Sequence, residues 1–202
     1  LSTPAQVLSA IDEIRPDAIL LPGDITNRHS RFSPDETAAF LRELSQKAPT
    51  FAVTGNHEQK ADYLPAFRTL ATAAGVTLLE NAVYALQKDG QVLPLYGLCD
   101  NRETGFHPDT PSLLLCHYPQ VAVKAAARGF SLAVCGHAHG GQIRFGKQGL
   151  YAPGQGFFPR YTSGLYRIGS MQMAVSRGLG DSSLPLRFHN PPHLPLLILR
   201  AE

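Results

Sequence analysis

Residues 132–142 read LAVCGHAHGGQ. Four apolar residues, Leu132 to Cys135, stop at Gly136. Two histidines follow, His137 and His139, separated only by Ala138, and then two more glycines. A short, unbroken apolar run that ends at glycine reads as a strand buried on both faces, as in a parallel sheet. The polar residues then stand at the strand's carboxyl end, where open parallel sheets bind ligands.

The same arrangement recurs along the chain. Ala18-Ile19-Leu20-Leu21 reads as a fully buried strand and runs into PGDITN. Thr50-Phe51-Ala52-Val53 runs into TGNHE, and Ser112-Leu113-Leu114-Leu115-Cys116 into HYP. Helices fall between the strands. Thr3-Pro4-Ala5-Gln6 and Ser33-Pro34-Asp35-Glu36 both place a hydroxyl cap, a proline and a capping-box partner at helix starts. The first helix carries the stripe Val7, Leu8, Ile11 and Ile14 up to Pro16, and the second runs to about Lys47. Further helices are expected over 61–74 and 119–128, each stopped by a glycine. Strands are expected near 76–80, 82–86 and 92–97. After Gly140 shorter alternating segments appear, with a hairpin of 164–168 and 171–175 around Gly169-Ser170.

A length of 202 residues suits one domain, and 44% hydrophobic residues suffice for a packed core. The net charge is +2. With the two signs read as interspersed, this argues against a nucleic acid held by charge or read by sequence. No run approaches the roughly 18 apolar residues of a membrane helix. The 18 glycines and 16 prolines indicate shaped loops on a regular scaffold. Cys99, Cys116 and Cys135 lie in or beside apolar runs without C-x-x-C spacing, so buried reduced thiols are expected.

Four strand ends therefore carry cation-binding groups: Asp24, Asn56 with His57, His117, and His137 with His139. Gly23, Gly55 and Gly136 directly precede Asp24, Asn56 and His137, where a glycine lets the backbone turn sharply and approach closely. In an extended segment His137 and His139 would point the same way. They would then address one cavity, with one metal each. His107, His189 and His193 lack such a context, and His29 is a weak substrate-contact candidate. Each motif alone has an ordinary structural explanation. The ordered set is the signal.

The set GD…GNHE…H…GHxH resembles the calcineurin-like metallophosphoesterases over nearly the whole chain. GHAHGGQ, YAPGQGFFPRYTSGLYR and VSRGLG resemble a bacterial subgroup of small phosphodiesterases, often exported or membrane-anchored. The resemblance implies a four-layer α/β-β/α sandwich of two mixed sheets flanked by helices, forming a single domain over residues 1–202. It implies two divalent ions between the sheets. Asp24 would bridge them, Asn56, His117 and His137 would complete one site, and His139 would bind the other ion. His57 would contact the phosphate or leaving group, with Glu58 a candidate to orient it. The family pattern opens with D-x-H on a first strand, and no such motif precedes Asp24. Asp17 lies at the wrong end of its strand, and Asp12 and Glu13 lie within the helix. Because the chain opens at Leu1, the expectation is that the motif lies upstream, after an export signal or membrane anchor, and that this chain has one tight metal site.

An O/N ligand set fits Mn, Fe or Zn. Two such ions polarise a phosphoryl oxygen and acidify a bridging water, whose hydroxide attacks phosphorus in line. His57 would assist the departing oxygen. Arg160, Tyr161 and Arg177 are candidate substrate contacts, with surface charge in hairpin loops the alternative for the arginines. The expected partner is a small phosphoester, most naturally a diester, of cell-envelope or lipid-linked origin. A non-catalytic scaffold of the same fold is the second reading. A pyrophosphatase acting on a nucleotide-linked lipid precursor is the third, with Phe157-Phe158-Pro159 and Tyr161 either accepting an acyl chain or packing in the core.

Overall fold

The structure is a computed structural model that describes residues 3–26, 33–60, 63–99, 105–180 and 187–200. Helix α1 spans Pro4–Ile14 and α2 spans Pro34–Lys47. Both open on the capping boxes legible in the sequence. Thr3 Oγ1 accepts from Gln6 N, and the Gln6 side chain accepts from Thr3 N; Ser33 and Glu36 repeat the exchange. Helices α3 (Leu64–Ala73) and α4 (Pro119–Ala125) follow, the latter continued by a 3-10 turn at Ala126–Arg128.

Strands β1 (Ile19–Leu21), β2 (Thr50–Ala52) and β3 (Thr77–Leu78) form a three-stranded sheet that is parallel throughout. The larger sheet is mixed. It contains β4 (Ala82–Lys88), β5 (Gln91–Leu98), β6 (Leu113–Cys116), β7 (Leu132–Cys135), β12 (Gly164–Ile168) and β13 (Met171–Val175). Their order is β12-β13-β7-β6-β5-β4, with β13, β7, β6 and β5 parallel and an antiparallel strand at each edge. Between β7 and β12 lie two small hairpins, β8 (Arg144–Phe145) with β9 (Gln148–Gly149), and β10 (Tyr151–Ala152) with β11 (Gly156–Phe157).

Alternation along the strands separates three cores. Ile19, Leu21, Ala52 and Leu78 face α1, α2 and α3, joining Val7, Ile11, Leu41 and Phe67. Their neighbours Leu20, Phe51, Val53 and Leu79 face the other way and meet Leu95, Leu113, Leu115, Leu132, Val134 and Ala174 of the larger sheet. The far side of that sheet, with Leu114, Cys116, Ala133, Cys135, Met171 and Met173, packs against α4. A period of two thus sends alternate side chains into different cores, and the layers stack as helices, sheet, sheet, helix.

Two expectations need adjustment. The smaller sheet is not mixed in its described strands. Strand β1 is half-buried rather than fully buried, because among the described residues β2 is its one neighbour and β1 lines a groove of ≈ 2890 Å³. None of the three cysteines forms a disulfide; Cys116 and Cys135 are buried and Cys99 is half-buried.

Candidate metal centre

Strands β1 and β2 of one sheet and β6 and β7 of the other end close together. Gly23 and Gly55 make this possible. Gly23 has φ +85°, and a Cβ there would sit 2.6 Å from Gly55 N and 2.9 Å from His117 Nδ1. A Cβ on Gly55 would overlap the Asp24 carboxylate. Gly136 is less demanding, with Pro22 Cγ as the nearest atom at 3.3 Å.

His117, 1% exposed, is the hub. Its Nδ1 lies 2.7 Å from Pro22 O, a carbonyl that only accepts, so Nδ1 carries the proton. That leaves Nε2 facing Asn56 Oδ1 at 3.1 Å, His137 Nδ1 at 2.9 Å and Asp24 Oδ2 at 3.2 Å. These are four electron-pair donors around one point, and they need positive charge between them. A divalent ion with bonds of about 2.1 Å sets adjacent ligand atoms about 3.0–3.4 Å apart. The donor set therefore fits a metal ion. Asp24, His117 and His137 also form a group whose ligand atoms lie within 4.8 Å of one another.

The electrostatics agree. Without a metal, a proton on His117 Nε2 would supply that positive charge: burial pushes the Asp24 carboxyl up, but the hydrogen bond and charge of a protonated His117, with the His57 amide and ring, outweigh it and hold the group below its ordinary value. Burial, then the charge of His117, lowers His137 to about 4. Burial, then the charge of Arg187, lowers His139 to about 4. Both imidazoles are therefore neutral donors at neutral pH. The metal-free chain should lose stability as pH falls from the unfolded-state value of about 6.5 to the folded value of about 4. In that window the unfolded chain binds protons that the folded chain refuses, so the stabilisation is complete above it and eroded within it. Thermal midpoints between pH 7.5 and 4, flat across about 4.5–6.5, would contradict this.

His139 does not join the group around His117. The segment after β7 is not extended. His137 has φ +63° and His139 φ +45°, and a 3-10 turn runs from His139 to Gly141. The period-two rule for strands therefore does not apply here, and His139 lies outside the group of Asp24, His117 and His137. His139 remains close enough for Asp24, His117 and His57 to affect its charge. Asn190, 2% exposed, fixes this turn by donating to His139 O at 2.7 Å and Gln142 O at 3.1 Å. Nothing local in the sequence marks Asn190, since its partners lie about fifty residues away.

Glu58 differs most from expectation. It is 0% exposed and does not bond His57. Its carboxylate accepts from Asp24 N, Gly55 N, Thr26 N and Thr26 Oγ1 at 2.8–3.1 Å, tying the GD and GNHE turns together. His57 lies beside the donor set. Its amide donates to Asp24 Oδ1 at 3.0 Å, its Nε2 is 3.9 Å from Asp24 Oδ2, and its buried Nδ1 has no partner among the described residues. Tyr118 walls the site, with ring centroids 4.8 Å from His117 and 4.6 Å from His137.

The candidate substrate contacts are dispersed. Arg160 is exposed, its guanidinium 5.3 Å from the Tyr161 ring. Tyr161 packs on Tyr166, and the Gln155 side chain holds its amide and carbonyl. Arg177 donates to Pro191 O and Ser163 Oγ and lies against Gly140 beside His139. His29 falls outside the described residues.

Fold and donor set together define a mixed α/β protein with a His/Asp group suited to a metal ion. Residues 2–141 match the calcineurin-like phosphoesterase family, and the chain belongs to it. It is 31% identical to the uncharacterized metallophosphoesterase YkuE of Bacillus subtilis, with 96% of this chain and 72% of YkuE aligned. It is 30% identical to phosphodiesterase YaeI of Escherichia coli, over 93% of this chain and 72% of YaeI. The crystal structure of TT1561 from Thermus thermophilus shares the fold, with a TM-score of 0.53 and 15% identity over 84% of this chain and 80% of that one.

Proposed function

We propose that this chain carries the catalytic face of a phosphodiesterase that works with two divalent ions, Mn, Fe or Zn. The observation that carries the reading is the convergence of Asp24, Asn56, His117 and His137 on one point. The name of the relative YaeI supports a diester as substrate. When bound, the ions supply Lewis acidity toward phosphoryl oxygens and acidify a water. The chain's own residues do the rest. Asp24, Asn56, His117 and His137 hold the first ion, and His139 with Asp24 supplies part of the second site. His57, with its partnerless Nδ1, receives the phosphate and steadies the leaving oxygen. Glu58 keeps the two turns in register.

The finer reading of the fold is a four-layer sandwich lacking one strand. The unpaired edge of β1 supports it. So does the groove beside β1, whose other walls include the extended apolar residues 194–199. Leu197 packs on the core between the sheets, whereas Leu196 is 55% and Ile198 70% exposed. One more parallel strand would pair with β1 and cover these side chains. A D-x-H at its carboxyl end would complete the second metal site.

Metal titration tests the reading. This chain should take up one Mn²⁺ or Zn²⁺ tightly and a second weakly, with the second lost first on dialysis. Bis-(p-nitrophenyl) phosphate should be cleaved in preference to the monoester, and more rapidly when a D-x-H strand is supplied. Two equally tight ions would mean that other residues complete the second site and that no strand is wanting. Tight metal uptake without hydrolysis, even with the strand supplied, would favour the scaffold reading.

A further inference from the structure

We propose that the lobe built from residues 139–161 and 187–193 is a membrane-docking surface that seats the metal centre against an anionic bilayer. The lobe holds the two small hairpins β8–β9 and β10–β11, and it exposes an unusual amount of aromatic surface. Phe157 is 72% exposed, Phe158 68%, Phe145 65%, Phe188 51% and Tyr151 40%. The sequence alone allowed Phe157 and Phe158 to be core residues, and they are not. Large exposed apolar surface on a folded protein marks an interaction site.

These side chains are displayed by a rigid frame. Buried Arg144 donates to Gly140 O, Thr162 Oγ1 and Lys147 O, binding the first hairpin to the turn after β7. Phe158 N donates to Leu150 O, and Arg144 N to Phe188 O. Phe158 has φ +51°, a conformation a bulky side chain adopts only under constraint. The frame prevents the aromatic groups from folding back onto the core.

Charge selects the partner. The net +2 conceals a strong division along the chain. Residues 110–200 contain nine Lys or Arg and a single acid, Asp181. Within the lobe, Lys147 at one hairpin tip and Arg160 beside the other are exposed. Apolar rings flanked by cations, on a lobe whose own residues 139–161 and 187–193 include no Asp or Glu, match an anionic lipid surface, where phenyl groups enter the acyl boundary and cations meet headgroups. A second copy facing the same lobe would set cation against cation. A single-stranded nucleic acid is served by a charged groove that tracks its backbone, whereas this lobe presents separate hairpin tips. No helix among the described residues is long and apolar enough to cross a membrane.

The lobe also borders the metal centre. The turn between β10 and β11 touches it, since Pro153 hydrogen-bonds His137 and a Cβ on Gly154 would lie 4.0 Å from His137 Nε2. Phe157 is three residues further on, where the chain leaves this turn and pairs with Tyr151. A bilayer that takes up the phenyl groups would bring its headgroup phosphates to the mouth of the site.

The test uses the full chain with vesicles of phosphatidylcholine, with and without phosphatidylglycerol. The chain has no Trp, so Phe158→Trp provides a single reporter. Its emission should shift to the blue with anionic vesicles and much less with neutral ones, and the shift should weaken as salt is added. Phe157→Ser with Phe158→Ser should lower vesicle affinity at least about 10-fold, and Lys147→Glu by about the same factor. Both variants should keep the parent's thermal midpoint and tight metal equivalent, which separates lost docking from lost folding. The proposal is overturned by absence of binding, by equal binding to neutral vesicles, or by variants that bind as well as the parent. It is also overturned if sedimentation shows self-association through the lobe, or if single-stranded DNA binds as tightly as anionic vesicles.

Discussion

Glu58→Ala should remove most of the stability of the chain and, in whatever remains folded, disable the metal centre. The side chain has no exposure, and all four of its partners donate. Truncation leaves three backbone N–H groups and a hydroxyl buried without acceptors. At about 1–3 kcal/mol for each abandoned donor, the loss is about 4 kcal/mol or more, against a typical total of about 5–15 kcal/mol. Asp24 is held at φ +52°, and its amide is one of the four donors. Releasing it frees the carboxylate that completes the donor set, so metal affinity should fall by about 10–100-fold, as for other supporting partners of ligands. Glu58→Gln discriminates further. Its amide NH₂ would face N–H groups, so the isosteric variant should also fail, although it removes no volume. Urea unfolding and metal titration of both variants provide the check. A Glu58→Ala protein with unchanged midpoint and affinity would mean that the two turns are held by something else.

What the sequence disclosed and what it withheld have a common physical basis. The apolar runs ending in GD, GNHE, HYP and GHAH are local signals, and each produced a strand with its polar group at the carboxyl end. The capping boxes of α1 and α2 are equally local and are formed as read. The division of the strands between two sheets depends on alternation within short all-apolar runs, where both faces look alike. It came through the family resemblance rather than the residues. Long-range anchors were invisible. Glu58 reaches back 34 residues to Asp24, and Asn190 reaches 51 to His139. The turn that carries His139 was hidden for a different reason. Positive φ at non-glycine residues leaves no compositional trace, and here it replaces an extended His-x-His segment by a turn. The acid-free stretch from 110 to 180 was plain in the sequence, but whole-chain net charge averaged it away.

His57→Ala should separate binding of metal from chemistry. In the metal-loaded enzyme the turnover of bis-(p-nitrophenyl) phosphate should fall by about 10²–10⁴-fold, the usual contribution of one positioned acid–base group. Metal content should stay near that of the parent, because the four converging donor atoms belong to Asp24, Asn56, His117 and His137. The backbone amide of His57, which donates to Asp24 Oδ1, survives the substitution. Its ring, in contrast, has a buried Nδ1 without a partner and an Nε2 3.9 Å from Asp24 Oδ2. An imidazole held so close to the centre, with one nitrogen unsatisfied, is placed to meet a ligand that the free protein does not contain. The two readouts must be taken on the same preparation. Loss of a metal equivalent by elemental analysis would make His57 a ligand and reassign the drop in turnover to an emptied site. Unchanged turnover with full metal content would remove His57 from the chemistry. A weaker leaving group sharpens the distinction, since a residue that steadies the departing oxygen matters more as that oxygen becomes more basic. The His57→Ala deficit should therefore grow from a nitrophenyl diester to an alkyl diester, whereas a residue needed only to position the phosphate would cost the same with both.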